Sequence, residues 1–350
     1  MTSASALRSH EMTLMKRLEA WQAIGGLISR MSDLEIDALA YKAGVMNPWF
    51  TNANVRQALS GIKAMLEVDV LKRWVSGYDL QDRKTQTVGL ILAGNIPLVG
   101  FQDLLAVSVA GHKATVKLSA QDEVLPRWLV GELAQIAPEL ATKIAFVDRL
   151  TGFDAVIATG SNNSSRYFEH YFGKVPNIIR KNRHSAAVLT GQESDTNLVN
   201  LGHDVFSYFG HGCRNVSHLL LPRGYDIPHL LDLWHEPFHN LVFHNKYANN
   251  YEYNRAIYLV NSVPFLDTGY LVVKESNDLA SPLAVLHYHF YDSETEVLSW
   301  LNDHQAELQC IVGEPIKGYT SQMTPFGQSQ TPLPWDFADG IDTLQFLLEL

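Results

Sequence analysis

Cysteine is scarce in this chain, and the two present do not make a disulfide framework. The 350 residues contain only Cys213 and Cys310, whereas small secreted domains use four or more cysteines in their bridges. No apolar run is long enough to cross a bilayer. The first residues lack the basic region followed by an apolar region that marks a signal peptide. We therefore expect a cytoplasmic protein with reduced thiols.

Charge is also sparse, and its balance is negative. Charged residues make up 18% of the chain, the net charge is −10, and no run of Lys or Arg occurs. Nucleic acids and anionic membranes attract basic patches, so neither is expected to be the main partner, and no membrane span is expected. A hydrophobic content of 46% over this length suits a globular protein with two domains or one large α/β domain.

Hydrophobic periodicity changes near Thr85. Residues 12–76 show helical spacing, and they read as a cap that packs on the core. Strands are then predicted at 87–93, 114–118, 143–147 and 155–158, with helices between them, the first of which is predicted over 98–110. This alternation predicts a parallel sheet that binds its ligand at the carboxyl ends of its strands. The polar residues expected to share that edge are Asn95, Lys117, Ser119, Gly160 and Ser161.

Neither a Gly-x-Gly-x-x-Gly motif nor a P-loop is present. The turn Thr159-Gly160-Ser161 nevertheless joins a predicted strand to a predicted helix. Free backbone N–H groups and the helix dipole at such a turn can hold a phosphate. The alternative is an ordinary helix N-cap formed by Ser161.

Cys213 lies in a short segment that is rich in glycine, Phe209–Cys213. An amphipathic helix is predicted over 196–208, and a buried strand is predicted at 219–221. Glycines in a turn between two such elements allow a positive φ and the close approach of a substrate. A thiol there can act as a thiolate nucleophile. The alternative is a small, buried, inert side chain.

The segment His235–His239 matches the His-Glu-x-x-His pattern of zinc peptidases, but we reject that interpretation. The pattern needs a continuous helix that places both histidines on one face. Pro237 removes a helical donor, and at best it belongs in the first turn of a helix, which would leave His235 outside. We expect a surface helix junction and no metal site.

Several of these segments resemble the aldehyde dehydrogenase superfamily. The resemblance extends from about Thr87 to Asp342, and its most specific parts are Gly210–Cys213, Thr159–Ser161 and Ala93–Pro97. Within that superfamily the chain is most similar to the acyl-CoA and acyl-protein thioester reductases, such as the fatty-acid reductase of bacterial bioluminescence. The segment Thr324–Gln328 is similar to the family's C-terminal Pro-Phe-Gly segment.

The resemblance implies roles for particular residues. Cys213 is implied as the nucleophile that attacks a carbonyl carbon, and Asn95 as an oxyanion donor alongside the Cys213 N–H group. Lys117, with Ser119, is implied to hold the cofactor ribose. Gly160 and Ser161 match the turn at the cofactor pyrophosphate, and Asp278, before Ser281-Pro282, matches loosely the acid that binds the nicotinamide ribose.

Three departures from the family pattern bear on the reaction. The segment Ile179–Ser185 carries no carboxylate, whereas hydrolytic members have a glutamate there that activates water against the thioester. Ala120 replaces the acid that NAD-preferring members place three residues after the lysine. Arg127 or Lys113 would then reach a 2′-phosphate, which favours NADPH over NADH.

His211 stands where the family usually has glutamine. The basic Arg214 follows Cys213 and is a candidate for lowering the pKa of its thiol.

The sequence therefore predicts an aldehyde-dehydrogenase-like α/β fold with three parts. Residues 1–181 would contain N-terminal helices and a Rossmann-type cofactor domain, 182–317 a catalytic domain with Cys213, and 318–350 a tail that returns to the first domain or to a partner subunit. The expected activity is reduction of an acyl-CoA or acyl-protein thioester to an aldehyde with NADPH, or with NADH. The resemblance also implies a homo-oligomer and allows an acyltransferase or synthetase partner.

Two other functions remain open from sequence. One is the oxidative direction, in which an aldehyde becomes an acyl thioester. The other is a non-catalytic binding or scaffold protein with this fold. His184, His211 and His218 are all candidates for a proton shuttle, because imidazole titrates near neutral pH.

Overall fold

The computed structural model describes residues 12–80, 84–160 and 162–350. The chain divides into two compact units. The first consists of Met1–Lys181 together with Leu333–Leu350, and the second of Asn182–Pro332. Residues 318–332 thus belong to the second unit, whereas the expected boundary lay at 317. The final residues, 333–350, belong to the first unit.

From residue 12 onward, the first unit starts with the helices α1 (Leu14–Arg30), α2 (Asp33–Met46), α3 (Asn52–Met65) and α4 (Val68–Val75). Hydroxyl side chains cap the first three of them. Ser32 forms a reciprocal capping box with Glu35, and the Thr13 and Thr51 side chains accept from the backbone N–H groups of Lys16 and Asn54. The helices share one hydrophobic core with the sheet that follows, as expected for a helical cap.

The first sheet has five parallel strands. They are β1 (Thr87–Ile91), β2 (Lys113–Lys117), β3 (Ile144–Phe146), β4 (Ala155–Thr159) and β5 (Asn177–Arg180), in the order β3-β2-β1-β4-β5. This is the strand order of a Rossmann sheet without its sixth strand, and the order reverses at the switch point between β1 and β4. The further helices of this unit are α5 (Phe101–Ala110), α6 (Val124–Ile136), α7 (Pro138–Ala141), α8 (Asn162–Phe172) and, from the tail, α13 (Thr343–Leu348).

The second unit contains a six-stranded sheet. Its strands are β6 (His184–Val188), β7 (Val216–Pro222), β8 (Leu266–Asp267), β9 (Val272–Glu275), β10 (Val285–Tyr291) and β11 (Leu308–Val312), in the order β11-β6-β7-β10-β9-β8. Only the pair of β8 with β9 is antiparallel. The helices are α9 (Asp195–Phe206), α10 (Ile227–Phe238), α11 (Asn245–Val260) and α12 (Glu294–Asp303). Two separate apolar clusters include residues of this sheet, so both of its faces are covered.

Two helices differ from the bounds that periodicity predicted. The helix after β1 was expected to begin at Leu98 but begins at Phe101, because Leu98 adopts a left-handed conformation with φ 56°. The helix before Cys213 was expected to reach Tyr208 but ends at Phe206. A 3₁₀ turn, Ser207–Gly210, follows it, and within that turn Tyr208 and Phe209 both have positive φ. A left-handed backbone conformation is energetically costly for residues with side chains of this size. Hydrophobic periodicity does not indicate where such residues occur.

A buried ion pair ties the end of β5 to α5 and to the tail. Arg180 donates from Nη2 to Asp103 Oδ1 at 2.6 Å and to Thr343 Oγ1 at 2.8 Å, and from Nη1 to the Ala338 carbonyl. Less than a tenth of each charged side chain is exposed. Removing one partner of such a pair leaves an uncompensated buried charge.

We expect Asp103→Ala to lower the free energy of unfolding by about 3–5 kcal/mol, because the Arg180 guanidinium would remain buried without its carboxylate. The double variant Asp103→Leu, Arg180→Met removes both charges and is expected to lose less. Chemical denaturation of the three proteins measures this. A double variant less stable than Asp103→Ala would contradict the account.

Candidate active site

Cys213 lies on an exposed turn between α9 and β7. The backbone reaches it through three successive left-handed residues, Tyr208, Phe209 and Gly210, with φ of 52°, 58° and 81°. The Cys213 side chain is exposed, whereas Cys310 is half-buried. The alternative that placed Cys213 in a buried position is therefore wrong, and its role as a nucleophile stays a prediction. The accessible thiol fits a nucleophile, and the turn displays it at the amino end of β7.

Asn215 holds this turn in place. Its Oδ1 accepts from the Gly212 N–H group at 2.7 Å. Its Nδ2 donates to the carbonyls of Asp204, Val205 and Ser207 at 2.8–3.2 Å. Those carbonyls belong to the end of α9, where helices leave acceptors without an intrahelical partner. One buried amide thus closes the helix and fixes the backbone next to Cys213. This role of Asn215 was not predicted from the sequence, and an amide side chain just after a helix end is the signal that could have indicated it.

Ser185, on β6, fixes the other side of the turn. Its hydroxyl donates to the Cys213 carbonyl at 2.9 Å and accepts from the Cys310 N–H group at 3.2 Å. The Cys310 Sγ lies 3.0 Å from the same hydroxyl. Burial raises the pKa of the Cys310 thiol, so this second cysteine remains protonated at neutral pH and serves packing.

Asp204, on α9, joins the Cys213 turn to the Pro-Phe-Gly segment. Its carboxylate accepts from the backbone N–H groups of Gly327 and Ser329 at 2.6 and 2.9 Å. The side chain is fully buried, and burial raises its pKa above the usual range despite these hydrogen bonds. The last turn of α9 therefore forms hydrogen bonds both with the Asn215 amide and with the segment at 325–329.

The three histidines proposed as proton shuttles differ in their surroundings. Burial lowers the pKa of His211 to about 4 and that of His218 to about 3, and it also lowers the pKa of His184. All three are neutral at pH 7. His218 is fully buried, and both of its ring nitrogens are hydrogen-bonded, to the Asp278 carbonyl and to His289. His218 is therefore unsuited to shuttling protons to a substrate.

In the first unit, the carboxyl ends of adjacent strands bring four predicted residues to one edge. Asn95 follows β1, Lys117 ends β2, Ser119 comes just after it, and Gly160 follows β4. Ile91 is in register with both Lys117 and Ala158, so these ends are level. Lys117 is exposed, and Asn95 and Ser119 are half-buried. Ser161 lies outside the described residues.

The turn that carries Asn95 is held by three neighbours. The Asn47 side chain donates to the Gly94 carbonyl at 3.3 Å, and the Asp122 carboxylate accepts from the Leu98 N–H group at 2.7 Å. A Cβ added at Gly94 would lie 2.7 Å from Ser119 Oγ, so only glycine permits this close approach. Burial raises the pKa of Asp122 to about 7, opposed by the hydrogen bond from Leu98. The contacts of Asn47 and Asp122 with this turn were not predicted from the sequence.

Gly160 has a packing role whatever its part in binding. A Cβ added there would lie 2.8 Å from the Phe168 ring and 2.9 Å from Ser164 Cβ, both on α8.

Asp278 belongs to the second unit, as Cys213 does, and lies on the loop 276–284 between β9 and β10. Its side chain is exposed and accepts from Ser276 Oγ at 3.2 Å.

Pro237 lies in the last turn of α10, so its expected place in a first turn is wrong. At a helix C-terminus the residues before the proline can still form the helix, because the ring affects only the final turn. His235 and His239 stack with ring centroids 5.3 Å apart, and His239 Nδ1 lies 3.0 Å from the His235 carbonyl. Over residues 12–80, 84–160 and 162–350, no group of three or more His, Cys, Asp or Glu side chains is arranged to hold a metal ion.

None of the helices in the described part of the chain has the length and apolar character needed to cross a membrane.

No family model matches the chain, and no curated protein matches it. Solved structures do match. An aldehyde dehydrogenase from Mycobacterium tuberculosis complexed with NAD+ has a TM-score of 0.59 and 15% identity, over 83% of this chain and 71% of that chain. An oxidoreductase from Marinobacter aquaeolei has a TM-score of 0.63 and 11% identity, over 85% and 73%. The aldehyde dehydrogenase KauB from Pseudomonas aeruginosa has a TM-score of 0.59 and 13% identity, over 83% and 70%. The chain therefore has the aldehyde dehydrogenase fold that the resemblance predicted.

Asn215 supplies the first test of this site. Asn215→Ala is expected to lower the free energy of unfolding by about 2–4 kcal/mol, because buried carbonyls and an N–H group would lose their partner. Asn215→Asp preserves the shape but turns an acceptor toward three carbonyls, so we expect it to be at least as destabilised. Urea unfolding measures both. A stability of Asn215→Asp within about 0.5 kcal/mol of the unsubstituted protein would refute the role.

Asp122 supplies a second test, through pH. The folded protein keeps a proton on this carboxyl up to about pH 7, whereas the unfolded chain releases it near pH 4. This group therefore makes stability fall as pH rises between those values. Asp122→Asn cannot titrate, so its stability relative to the unsubstituted protein should rise by about 2 kcal/mol from pH 5 to pH 8. Urea midpoints at four pH values measure the difference, and parallel curves would contradict it.

Proposed function

We propose that this protein reduces an acyl thioester, either an acyl-CoA or an acyl-protein, to an aldehyde with NADPH through a covalent acyl-Cys213 intermediate. The observation that carries the proposal is the exposed Cys213 thiol on a turn whose backbone is fixed on both sides by Asn215 and Ser185. A fixed, accessible thiol suits nucleophilic catalysis, since the attacking atom is already positioned.

In the proposed reaction the Cys213 thiolate attacks the carbonyl carbon of the thioester. The resulting oxyanion takes hydrogen bonds from the Cys213 N–H group and from the Asn95 amide. One such donor typically contributes about 3 kcal/mol to the stability of the transition state. The tetrahedral species then expels the donor thiolate and leaves an acyl group on Cys213. Fixing the Asn95 turn through Asp122 and Asn47 supports its role as a preorganised donor.

The lack of a carboxylate in segment 179–185 favours reduction over hydrolysis. The segment 179–185 supplies the end of β5 and the start of β6 and carries no carboxylate. An acyl-enzyme without a positioned base loses little of its acyl group to water. Such an enzyme can keep its thioester until a hydride donor or a second thiol arrives.

The first unit offers residues that fit a nicotinamide cofactor. The Rossmann strand order favours a dinucleotide at the carboxyl edge of the sheet, and Gly94 lets Ser119 approach the turn after β1. Lys117 and Ser119 would hold the ribose, Gly160 and Ser161 the pyrophosphate, and Asp278 the nicotinamide ribose. When bound, the cofactor would supply the hydride that converts the acyl group to the aldehyde level.

NADPH is proposed over NADH on the basis of the neighbours of Lys117. Ala120 places no carboxylate where it would repel a 2′-phosphate. Arg127, in the first turns of α6, pairs with Glu123 at 3.8 Å and lies over the Phe146 ring. Lys113 is the first residue of β2 and lies about 13 Å from Lys117, at the opposite end of the strand. Of the two expected cations, only Arg127 is therefore a candidate for binding the 2′-phosphate.

Two alternatives remain. The same site can run in the oxidative direction, making an acyl thioester from an aldehyde and a thiol. A scaffold function would leave the Cys213 thiol without a role. The hydrogen bonds that fix the Cys213 turn therefore disfavour a scaffold function. We propose that the acyl donor is acyl-CoA or an acylated carrier protein. The family resemblance further suggests that the protein forms homo-oligomers and that an acyltransferase or synthetase is a partner.

Product analysis tests the proposed activity. The protein is mixed with a long-chain acyl-CoA and NADPH, and the aldehyde is trapped as a hydrazone and quantified beside NADPH consumption. We expect equal amounts of aldehyde and oxidised cofactor, lower rates with NADH, and no product from Cys213→Ala. Cys310→Ala is the matched control and should remain active. Thioester formation only from aldehyde, CoA and NADP+ would favour the oxidative alternative.

A further inference from the structure

The loop that carries Asp278 makes an unusually short crossover. Strands β9 and β10 are parallel neighbours, and only residues 276–284 connect them. Parallel neighbours normally need a connection of a dozen or more residues. A loop this short has no helix or strand of its own, so its carbonyls depend on hydrogen bonds from neighbouring backbone N–H groups and side chains.

Three side chains from two strands donate hydrogen bonds to two adjacent carbonyls of the loop, those of Asp278 and Leu279. His218, on β7, and His287, on β10, both approach the Asp278 carbonyl, with Nδ1 at 3.0 and 2.9 Å. Ser217 Oγ donates to the next carbonyl, that of Leu279, at 3.0 Å. His218 and His287 are directly paired in the sheet, which brings both rings to one carbonyl oxygen.

The contacts determine the protonation of the rings. A carbonyl only accepts, so His218 and His287 must both carry their proton on Nδ1. Neutral His218 then accepts at Nε2, and His289 Nδ1, at 2.6 Å, must be its donor. Trp300 stacks on the His218 ring with centroids 5.1 Å apart. Burial lowers the pKa of all three histidines, so this neutral arrangement persists at physiological pH.

We propose that His218 and His287 are positioning residues that fix the Asp278 carbonyl and so aim the Asp278 carboxylate at the nicotinamide ribose. The inference rests on the proposed function, because it assumes that Asp278 binds the cofactor. Two donors on one carbonyl fix its direction more firmly than one would, and the exposed carboxylate is next to that fixed point.

The strand that carries His218, β7, also follows directly after the turn that carries Cys213. β7 starts at Val216, and His218 is five residues after Cys213. The start of β7 therefore sets the backbone on which the thiol turn and the Asp278 loop both rest. Within the second unit, this gives the thiol and the proposed ribose contact a common rigid reference.

His287 allows a clean experiment because it makes one hydrogen bond to the loop through Nδ1. His287→Leu removes that donor, whereas His287→Asn retains an N–H group at a similar position. NADPH affinity is measured by fluorescence titration, and acylation of Cys213 by acyl-CoA is measured separately, without cofactor. We expect His287→Leu to bind NADPH about tenfold more weakly, His287→Asn to bind within about twofold of the unsubstituted protein, and acylation to proceed at a similar rate in all three.

The double variant with Asp278→Ala tests whether His287 acts through Asp278. If it does, His287→Leu has little further effect on NADPH affinity when Asp278 is already alanine. Equal loss in both backgrounds, or unchanged affinity in His287→Leu, would overturn the inference. Failure of the unsubstituted protein to acylate would instead count against the proposed function. The NADPH titrations do not depend on acylation.

Discussion

The candidate site depends on the hydrogen bonds of one buried amide. Asn215 accepts from the Gly212 N–H group and donates to three carbonyls at the end of α9. Without these bonds the helix end would keep unsatisfied carbonyls, and the left-handed residues Tyr208 and Phe209 would lose the contacts that offset their strain. The exposed position of Cys213 is thus a consequence of how α9 is ended, and Ser185 completes the arrangement from β6.

A similar arrangement holds the Asn95 turn in the first unit. Leu98 is left-handed, as the residues before Cys213 are, and a buried polar side chain, Asp122, accepts from its N–H group. In each unit a strained turn beside a strand end is held by a side chain that is itself buried. Strain of this kind persists only where the surroundings over-determine the conformation, and it concentrates at functional sites. The proposed roles of Cys213 and Asn95 account for both turns.

Much of the fold could be predicted from sequence, because it depends on periodicity. The buried runs of β1, β4 and β7 and the glycine at the end of α5 are local signals, and a parallel sheet with helices between its strands follows from them. β5 was missed, since its four residues follow Pro176 in a polar context. Some side chains bond to residues distant in sequence, as Asn215 does to the end of α9 and His287 does to the Asp278 loop. Such contacts leave no periodic signal. Their partners are identified only when strands such as β7 and β10 lie side by side.

The most direct test of the account is the intact mass of the protein after mixing with a long-chain acyl-CoA in the absence of nicotinamide cofactor. The account predicts a gain of one acyl group in the unsubstituted protein and in Cys310→Ala, and no gain in Cys213→Ala. An adduct that persists in Cys213→Ala would contradict the assignment of the nucleophile. No adduct with acyl-CoA of any chain length or with an acylated carrier protein would contradict the thioester chemistry itself.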